Sequence, residues 1–298
     1  MGHNHQHQNH QQHAKESRIR LAFFLNVVFA ILEITGGVFT NSVSIISNAV
    51  HDLGDSISLG MAWYFQRLSG RDRDNHFSFG YKRFSVLGAF INSLVLLTGS
   101  ILVIIIALPR IFHPQHIHAK GMFFLALAGI IVNGIAAIRL KKGNSLNEKV
   151  ISLHLVEDVL GWTAVLIVGI VMNFYPLPLL DPLLSILITI YILWNVWKNL
   201  KSTLRIFLQA IPETKQMADI EKQLLSIQEV TGVHDLHVWS MDGIYHVLTV
   251  HVTVAGNLTL EHTKQLKQDI RAKMEGLGIE HTTVEIEHQD EVCGLTDC

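Results

Sequence analysis

Cysteine is almost missing from this chain: the only two, Cys293 and Cys298, fall within its last six residues. A framework of structural disulfides is thereby excluded, and a bridge between these two is disfavoured if the tail is cytoplasmic. Charge is scarce as well. Only 16% of the 298 residues are charged, against 49% hydrophobic, and the mean hydropathy is positive at +0.33. That balance fits a membrane protein better than a soluble one. An HExxH signature is also lacking, which removes the general-base Glu that an intramembrane zinc protease of that type needs.

What is present is a series of six apolar stretches. They run from Leu21 to Phe39, Ser42 to Tyr64, Ser85 to Pro109, Gly121 to Leu140, Val150 to Val171 and Leu179 to Val196. Each is long enough to span the roughly 30 Å of bilayer hydrocarbon. The first is not read as a cleaved signal peptide, because no A-x-A-like site follows it and the next span begins almost at once. Basic residues set the orientation. Lys15, Arg18 and Arg20 precede the first span, Arg67, Arg71, Arg73, Lys82 and Arg83 follow the second, Arg139, Lys141, Lys142 and Lys149 follow the fourth, and Lys198, Lys201 and Arg205 follow the sixth. The alternate loops hold little beyond Arg110 and Lys120. By the positive-inside rule both termini are expected in the cytoplasm.

The texture changes near Gln209, where long apolar runs give way to a shorter, charged period. The expected order is helix (Gln216 to Ser226), strand (Gly232 to Ser240), strand (Tyr245 to Val254), helix (Leu260 to Glu275) and strand (Thr282 to His288). Alternation of Val247, Thr249, His251 and Thr253 with Leu248, Val250 and Val252 marks the second strand, and Met241-Asp242-Gly243 marks the hairpin turn before it. The fold expected is therefore an α-helical membrane protein of six transmembrane helices carrying a small α+β, ferredoxin-like cytoplasmic domain. The boundaries expected are 1–16 for a His-rich disordered cytoplasmic N-terminus, 17–208 for the six-helix domain and 209–298 for the soluble domain.

Within the apolar stretches one spacing occurs twice, His51 to Asp55 on the second span and His154 to Asp158 on the fifth. An ionisable side chain at the centre of a membrane helix costs about 2.5–3.5 kcal/mol on insertion scales, so four of them call for a functional reason. Residues i and i+4 share a helix face. Two such helices facing each other assemble a His2Asp2 tetrahedron, whose two carboxylates cancel the charge of Zn2+ where water is scarce. Both ligand types lose metal when protonated, so ion and proton compete for one site, which is the chemistry of a metal/proton antiporter. The bland alternative, polar interhelical contacts, explains one such residue better than a repeated pair. Asp52 and Glu157 are rotated about 100° from that face and stand as proton carriers, partners of the ligands or ion pairs. Asn26 suits structural hydrogen bonding, while Glu33 and Asp181 are open between structure and pathway.

These residues resemble the cation diffusion facilitator family, in particular its zinc, cobalt and cadmium exporting branch. The likeness is carried by SNAVHDLGDS on the second span, the segment Phe77 to Arg83, HxxxD on the fifth span, DPLLSILI at Asp181 to Ile188, and GVHDLHVW at Gly232 to Trp239. The resemblance implies a homodimer of six-helix protomers in a lipid bilayer, exchanging cytoplasmic Zn2+ for protons by alternating access, with Co2+ or Cd2+ as further substrates and no part for nucleic acid. It implies a transport site of His51, Asp55, His154 and Asp158. Because members with Asp in place of the first His are less selective, His51 favours zinc. It also implies a regulatory metal site in the soluble domain, at His234, His251, His288 and Asp290, with His262 as an additional ligand. His234, His251 and His288 fall on three expected strands that can converge, or stand as exposed strand histidines; His237 and His246 match no ligand position. Some bacterial members bind metal between the second and third helices through an Asp and two His. Here Asp72, Asp74 and His76 are present but Tyr81 stands where the second His is expected, so no tight site is expected there.

The leader carries His3, His5, His7, His10 and His13 among Gln and Asn. It reads as a mobile metal collector, or as a neutral polar leader or tag. Cys293 and Cys298 read as a soft site with His288 or as inert tail residues. Against export stands a membrane-anchored metal sensor without transport, a reading that leaves the intramembrane ligands unexplained. A passive channel is disfavoured because a complete tetrahedral site holds its ion too tightly for fast conduction. Short loops and the absence of a signal peptide suggest a multi-pass protein of a bacterial inner membrane.

Overall fold

The computed structural model describes residues 27–141, 146–175, 177–256, 258–291 and 293–294. The chain divides into two compact units, Met1–Gln66 with Gly88–Leu200, and Arg67–Leu87 with Lys201–Cys298. The helices of the first unit are α1 (Val27–Thr40), α2 (Val43–Ser69), α3 (Arg83–Phe112), α4 (Ala119–Lys141), α5 (Leu146–Phe174) and α6 (Leu180–Phe207), the last turns of α2 and α6 and the first of α3 belonging to the second unit. Among the described residues α3, α6 and the Val156–Phe174 part of α5 are long and apolar enough to cross a membrane, and α1 and the Ala119–Ile135 part of α4 are shorter apolar helices.

Polarity is distributed in the reverse of a water-soluble bundle. Ile105, Phe124, Ile138, Leu160, Leu187 and Trp197 are exposed, while Glu33, Asn48, Asp52, Asp158 and Asp181 are buried. In hydrocarbon an exposed apolar side chain costs nothing, whereas each polar group must find its partner inside the protein. Helix contacts are correspondingly close. A Cβ on Gly129 of α4 would collide with the ring of Trp162 on α5, so glycine is what lets the fully buried indole lie against the α4 backbone.

The α1–α2 turn sets the start of the second helix. Asn41 takes a left-handed backbone (φ 56°), and Ser42 closes the turn by donating from its backbone to the Gly37 carbonyl. An Asp from another helix then caps α2: the fully buried carboxylate of Asp181, in the first turn of α6, accepts from the backbone N–H of Val43 (2.6 Å) and Ser44 (3.2 Å). The hydroxyls of Ser42 and Ser44 add two more bonds at 2.5 Å. A negative charge at a helix N-terminus satisfies donors that the helix itself leaves open.

In the second unit, α7 (Met217–Leu225), β1 (Val230–Ser240), β2 (His246–Val254), α8 (Leu260–Gly276) and β3 (His281–His288) follow the expected order. The sheet runs β1-β2-β3, antiparallel then parallel. Leu248, Val250, Val252 and Val254 alternate into a core shared with Ile220 and Leu224 of α7 and Leu266, Ile270 and Met274 of α8. That packs both helices on one face, as in an open ferredoxin-like sandwich. The hairpin is closed by the Asp242 side chain, which accepts from the backbone N–H of Ile244 and Tyr245, with Gly243 at φ 92°.

Candidate metal sites

On α2 the i,i+4 spacing does what helix geometry requires. His51 and Asp55 lie side by side, Nε2 to Oδ2 at 3.4 Å, both about three-quarters shielded. Asp158 on α5 is 7% exposed. The side chain of His154 lies outside the described residues; its backbone belongs to α5, one turn before Asp158. Asp52, one step from His51, points to a different neighbour. It is buried against Glu33 of α1, with Asp158 and Asp55 close enough to act on it electrostatically. Glu33, 2% exposed, also accepts from the Asn48 amide of α2 at 3.1 Å. Asp52 thus lies against Glu33, a contact outside the three roles its sequence position suggested. Glu157 is exposed.

The soluble domain gathers a second set. His234 on β1 and His251 on β2 are register partners, with ring centroids 5.3 Å apart. Glu287 of β3 spans both, Oε2 at 3.1 Å from His234 Nε2 and Oε1 at 2.7 Å from His251 Nδ1. Cys293 brings its Sγ to 3.6 Å from the same Nδ1. One ligand atom from each of the four lies within 4.8 Å of the others. Two imidazoles, a carboxylate and a thiol form a donor set suited to a tetrahedral Zn2+-like ion. Burial pushes the Glu287 carboxyl up, but hydrogen bonds from Cys293 and His251 and the nearby imidazole charges outweigh it and hold the group below its ordinary value.

A bulge brings this set together. The β1–β2 register shifts between His234 and His237, and Asp235 absorbs the extra residue at φ 46°. A non-glycine residue in that conformation is uncommon and is found where a site needs it. Here it sets Asp235 between two rings, 2.8 Å from His237 Nε2 and 3.5 Å from His251 Nε2. The outer nitrogen of His251 also has Glu285 at 3.4 Å, leaving Nδ1 toward Glu287 and Cys293.

Of the soluble-domain positions expected from the sequence, His234 and His251 meet, whereas His288 and Asp290 form a separate pair at 3.4 Å. The reason is strand parity. Glu285 is the register partner of His251, so Glu285 and Glu287 share its face, while Val284 and Ile286 turn to the core and His288 follows their parity. His262 stands exposed in the first turn of α8, its backbone capped by Thr259. Glu287 is the member of this set that the sequence alone does not reveal: its two-residue step from Glu285 becomes legible only once the β2–β3 register is known.

In the α2–α3 loop Asp74 is held by its own turn. It accepts from the backbone N–H of His76 and Phe77 at 2.8 Å each and from the Tyr81 hydroxyl at 2.7 Å. The Tyr81 bond, then the backbone bonds, keep the Asp74 carboxyl below its usual range, and the same bond pushes the Tyr81 phenol up.

Apolar helices with an imidazole and carboxylates turned inward, together with a small domain carrying a nitrogen, oxygen and sulfur donor set, define a multi-pass membrane protein with metal-ion chemistry. More specifically, the chain belongs to the cation efflux family, the cation diffusion facilitators: residues 19–208 match its cation efflux transmembrane domain and 212–289 its cation efflux protein cytoplasmic domain. The latter is a dimerisation domain, so the protein pairs with a second copy of itself. Among its relatives, the metal cation efflux system protein CzcD of Cupriavidus metallidurans is 34% identical over 96% of this chain and 90% of that protein. The cadmium, cobalt and zinc/H(+)-K(+) antiporter of Bacillus subtilis is 31% identical over 96% of this chain and 92% of its own length. The zinc transporter ZitB of Yersinia pseudotuberculosis is also 31% identical, with the same coverage.

Proposed function

We propose that this protein exports Zn2+ from the cytoplasm in exchange for protons, through a site made by His51 and Asp55 of α2 with His154 and Asp158 of α5. The observation that carries the reading is the adjacent His51–Asp55 pair on a helix whose neighbour α5 buries Asp158. The names of the relatives, which include zinc transport and cadmium, cobalt and zinc antiport, support it and make Co2+ and Cd2+ further substrates. Protonation of His and Asp releases the ion, so a proton entering from one side and a metal ion from the other use the same ligands in turn. The protein has no enzymatic role in this reading.

The domain limits proposed are 17–208 for transport and 209–298 for a cytoplasmic domain, in which His234, His251, Glu287 and Cys293 hold a regulatory ion. His288 and Asp290 stand beside it as a further pair, and His262 as a ligand presented at the surface. Residues 1–16, outside the described residues together with Cys298, act as a collector of ions. Both termini face the cytoplasm of a bacterium, and the membrane is the inner one. The basic loops and the bacterial relatives support this placement.

Zn2+ uptake into proteoliposomes under an imposed pH gradient tests the reading. The native chain transports, and Asp55→Ala and Asp158→Ala do not; transport by both variants at the native rate rejects the site. A native chain that binds Zn2+ but carries none under any gradient favours the membrane-anchored sensor.

A further inference from the structure

The loop between α3 and α4 carries three histidines in six residues, His113-Pro114-Gln115-His116-Ile117-His118, and no acidic group. Ile117 is 7% exposed and anchors in the core beside Met122, whereas its neighbours His116 and His118 are both exposed. Their ring centroids are 5.8 Å apart with planes at 75°. At a Zn–N distance near 2.0–2.1 Å, two imidazoles sharing one tetrahedral ion have centroids roughly 5–6 Å apart.

The backbone beneath these rings is fixed. The Asn41 amide donates to the His116 carbonyl at 3.0 Å and to the Gln115 side chain at 3.2 Å. The backbone N–H of His118 donates to the Thr40 carbonyl at 3.0 Å. Arg110, the nearest basic group on α3, is engaged at 2.8 Å by the Asn41 carbonyl. The pair is thus tied to the α1–α2 turn, and the His51 position is eight residues into α2 from Val43, about 12 Å along the helix axis.

We propose that His116 and His118 form a two-imidazole binding site for a divalent cation of the zinc class, on the side of the membrane where the exported ion emerges. Two neutral ligands without a carboxylate, with Lys120 nearby on α4, make a weak and rapidly exchanging site, completed by water. Such a site accepts an ion as it leaves and passes it to solvent. The direction of passage rests on the export reading; the binding itself does not.

Diethyl pyrocarbonate footprinting of the purified full chain, read by mass spectrometry across a Zn2+ titration, tests this. Free imidazoles are modified and bound ones are protected, and His113 in the same peptide is the internal control. Expected is protection of His116 and His118 at one common midpoint, with His113 unprotected. In His116→Ala the midpoint at His118 rises at least about tenfold, and the reverse holds in His118→Ala. Protection at unrelated midpoints, protection of one ring that ignores loss of the other, or equal protection of His113 overturns the proposal. The footprint persists in the Asp55→Ala/Asp158→Ala double variant, so a failure of the transport reading is seen separately; its disappearance there overturns the pair as a site in its own right.

Discussion

Ser44 at the start of α2 donates its hydroxyl to Asp181 at the start of α6 over 2.5 Å, in a position where neither meets solvent. The same carboxylate serves four donors, two of them peptide groups that α2 cannot satisfy itself. Asp181 is therefore a structural anchor of α2, one of the two roles its sequence position left open.

Asp181→Ala strands the donors of Ser42, Val43 and Ser44 inside the protein. A loss of at least about 3 kcal/mol is expected, since a buried charge-assisted cluster that loses one partner leaves the others desolvated. Asp181→Asn keeps an acceptor and costs less. Thermal denaturation in detergent, followed by loss of the monodisperse elution peak, ranks native above Asn above Ala.

Gly129→Ala places a methyl group into the face of Trp162. Neither the α4 backbone nor a fully buried indole gives way easily, so a destabilisation of about 1–3 kcal/mol is expected from overpacking. Gly134→Ala on the same helix meets nothing within 4 Å and is the control, neutral in the same denaturation assay.

Tyr81→Phe removes the hydroxyl that Asp74 accepts. The Asp74 carboxyl then titrates closer to its ordinary value, as followed by NMR of a selectively labelled Asp74, while transport is unchanged. Tyr81→His exchanges that hydroxyl for an imidazole beside Asp74 and His76, and Co2+ titration read at the loop then shows tighter binding there than in the native chain.

Cys293→Ser removes the only soft donor from the soluble-domain set. Thiolate contributes most to the softer ion, so affinity for Cd2+ falls more than affinity for Zn2+, and the sulfur-to-metal charge-transfer absorption of the Co2+ form disappears. Glu287→Gln lowers all three affinities and leaves that absorption in place, a contrast that optical titration of the full chain resolves.

Acid weakens the soluble domain through two groups. Burial, then the charge of Lys215, holds the His246 imidazole below its ordinary 6.5, and Glu287 is held below 4.5. Both therefore bind fewer protons folded than unfolded over their windows. The stability tied to His246 is complete above pH 6.5 and is lost as pH falls through its lowered value; that of Glu287 is complete above 4.5 and is lost below it. Hydrogen exchange of β2 amides, corrected for intrinsic rates, shows less protection at pH 5.5 than at 7.5, and His246→Asn flattens that slope.

Much of this molecule is written locally. Apolar runs of membrane length, the four-residue step from His51 to Asp55 and the alternation of Val247 to Val254 each depend on neighbours a few positions away, so the helices, the α-β-β-α-β order and the adjacent pair on α2 follow from the sequence by itself. What the tertiary structure decided is which distant groups meet. Asp52 turns to Glu33, Asp181 caps a helix that begins 138 residues earlier at Val43, and Glu287 rather than His288 joins His234 and His251. The physical reason is phase: a helix or strand carries its own period, but a bulge at Asp235 or a register between β2 and β3 shifts which face that period presents, and nothing within the strand itself records the shift.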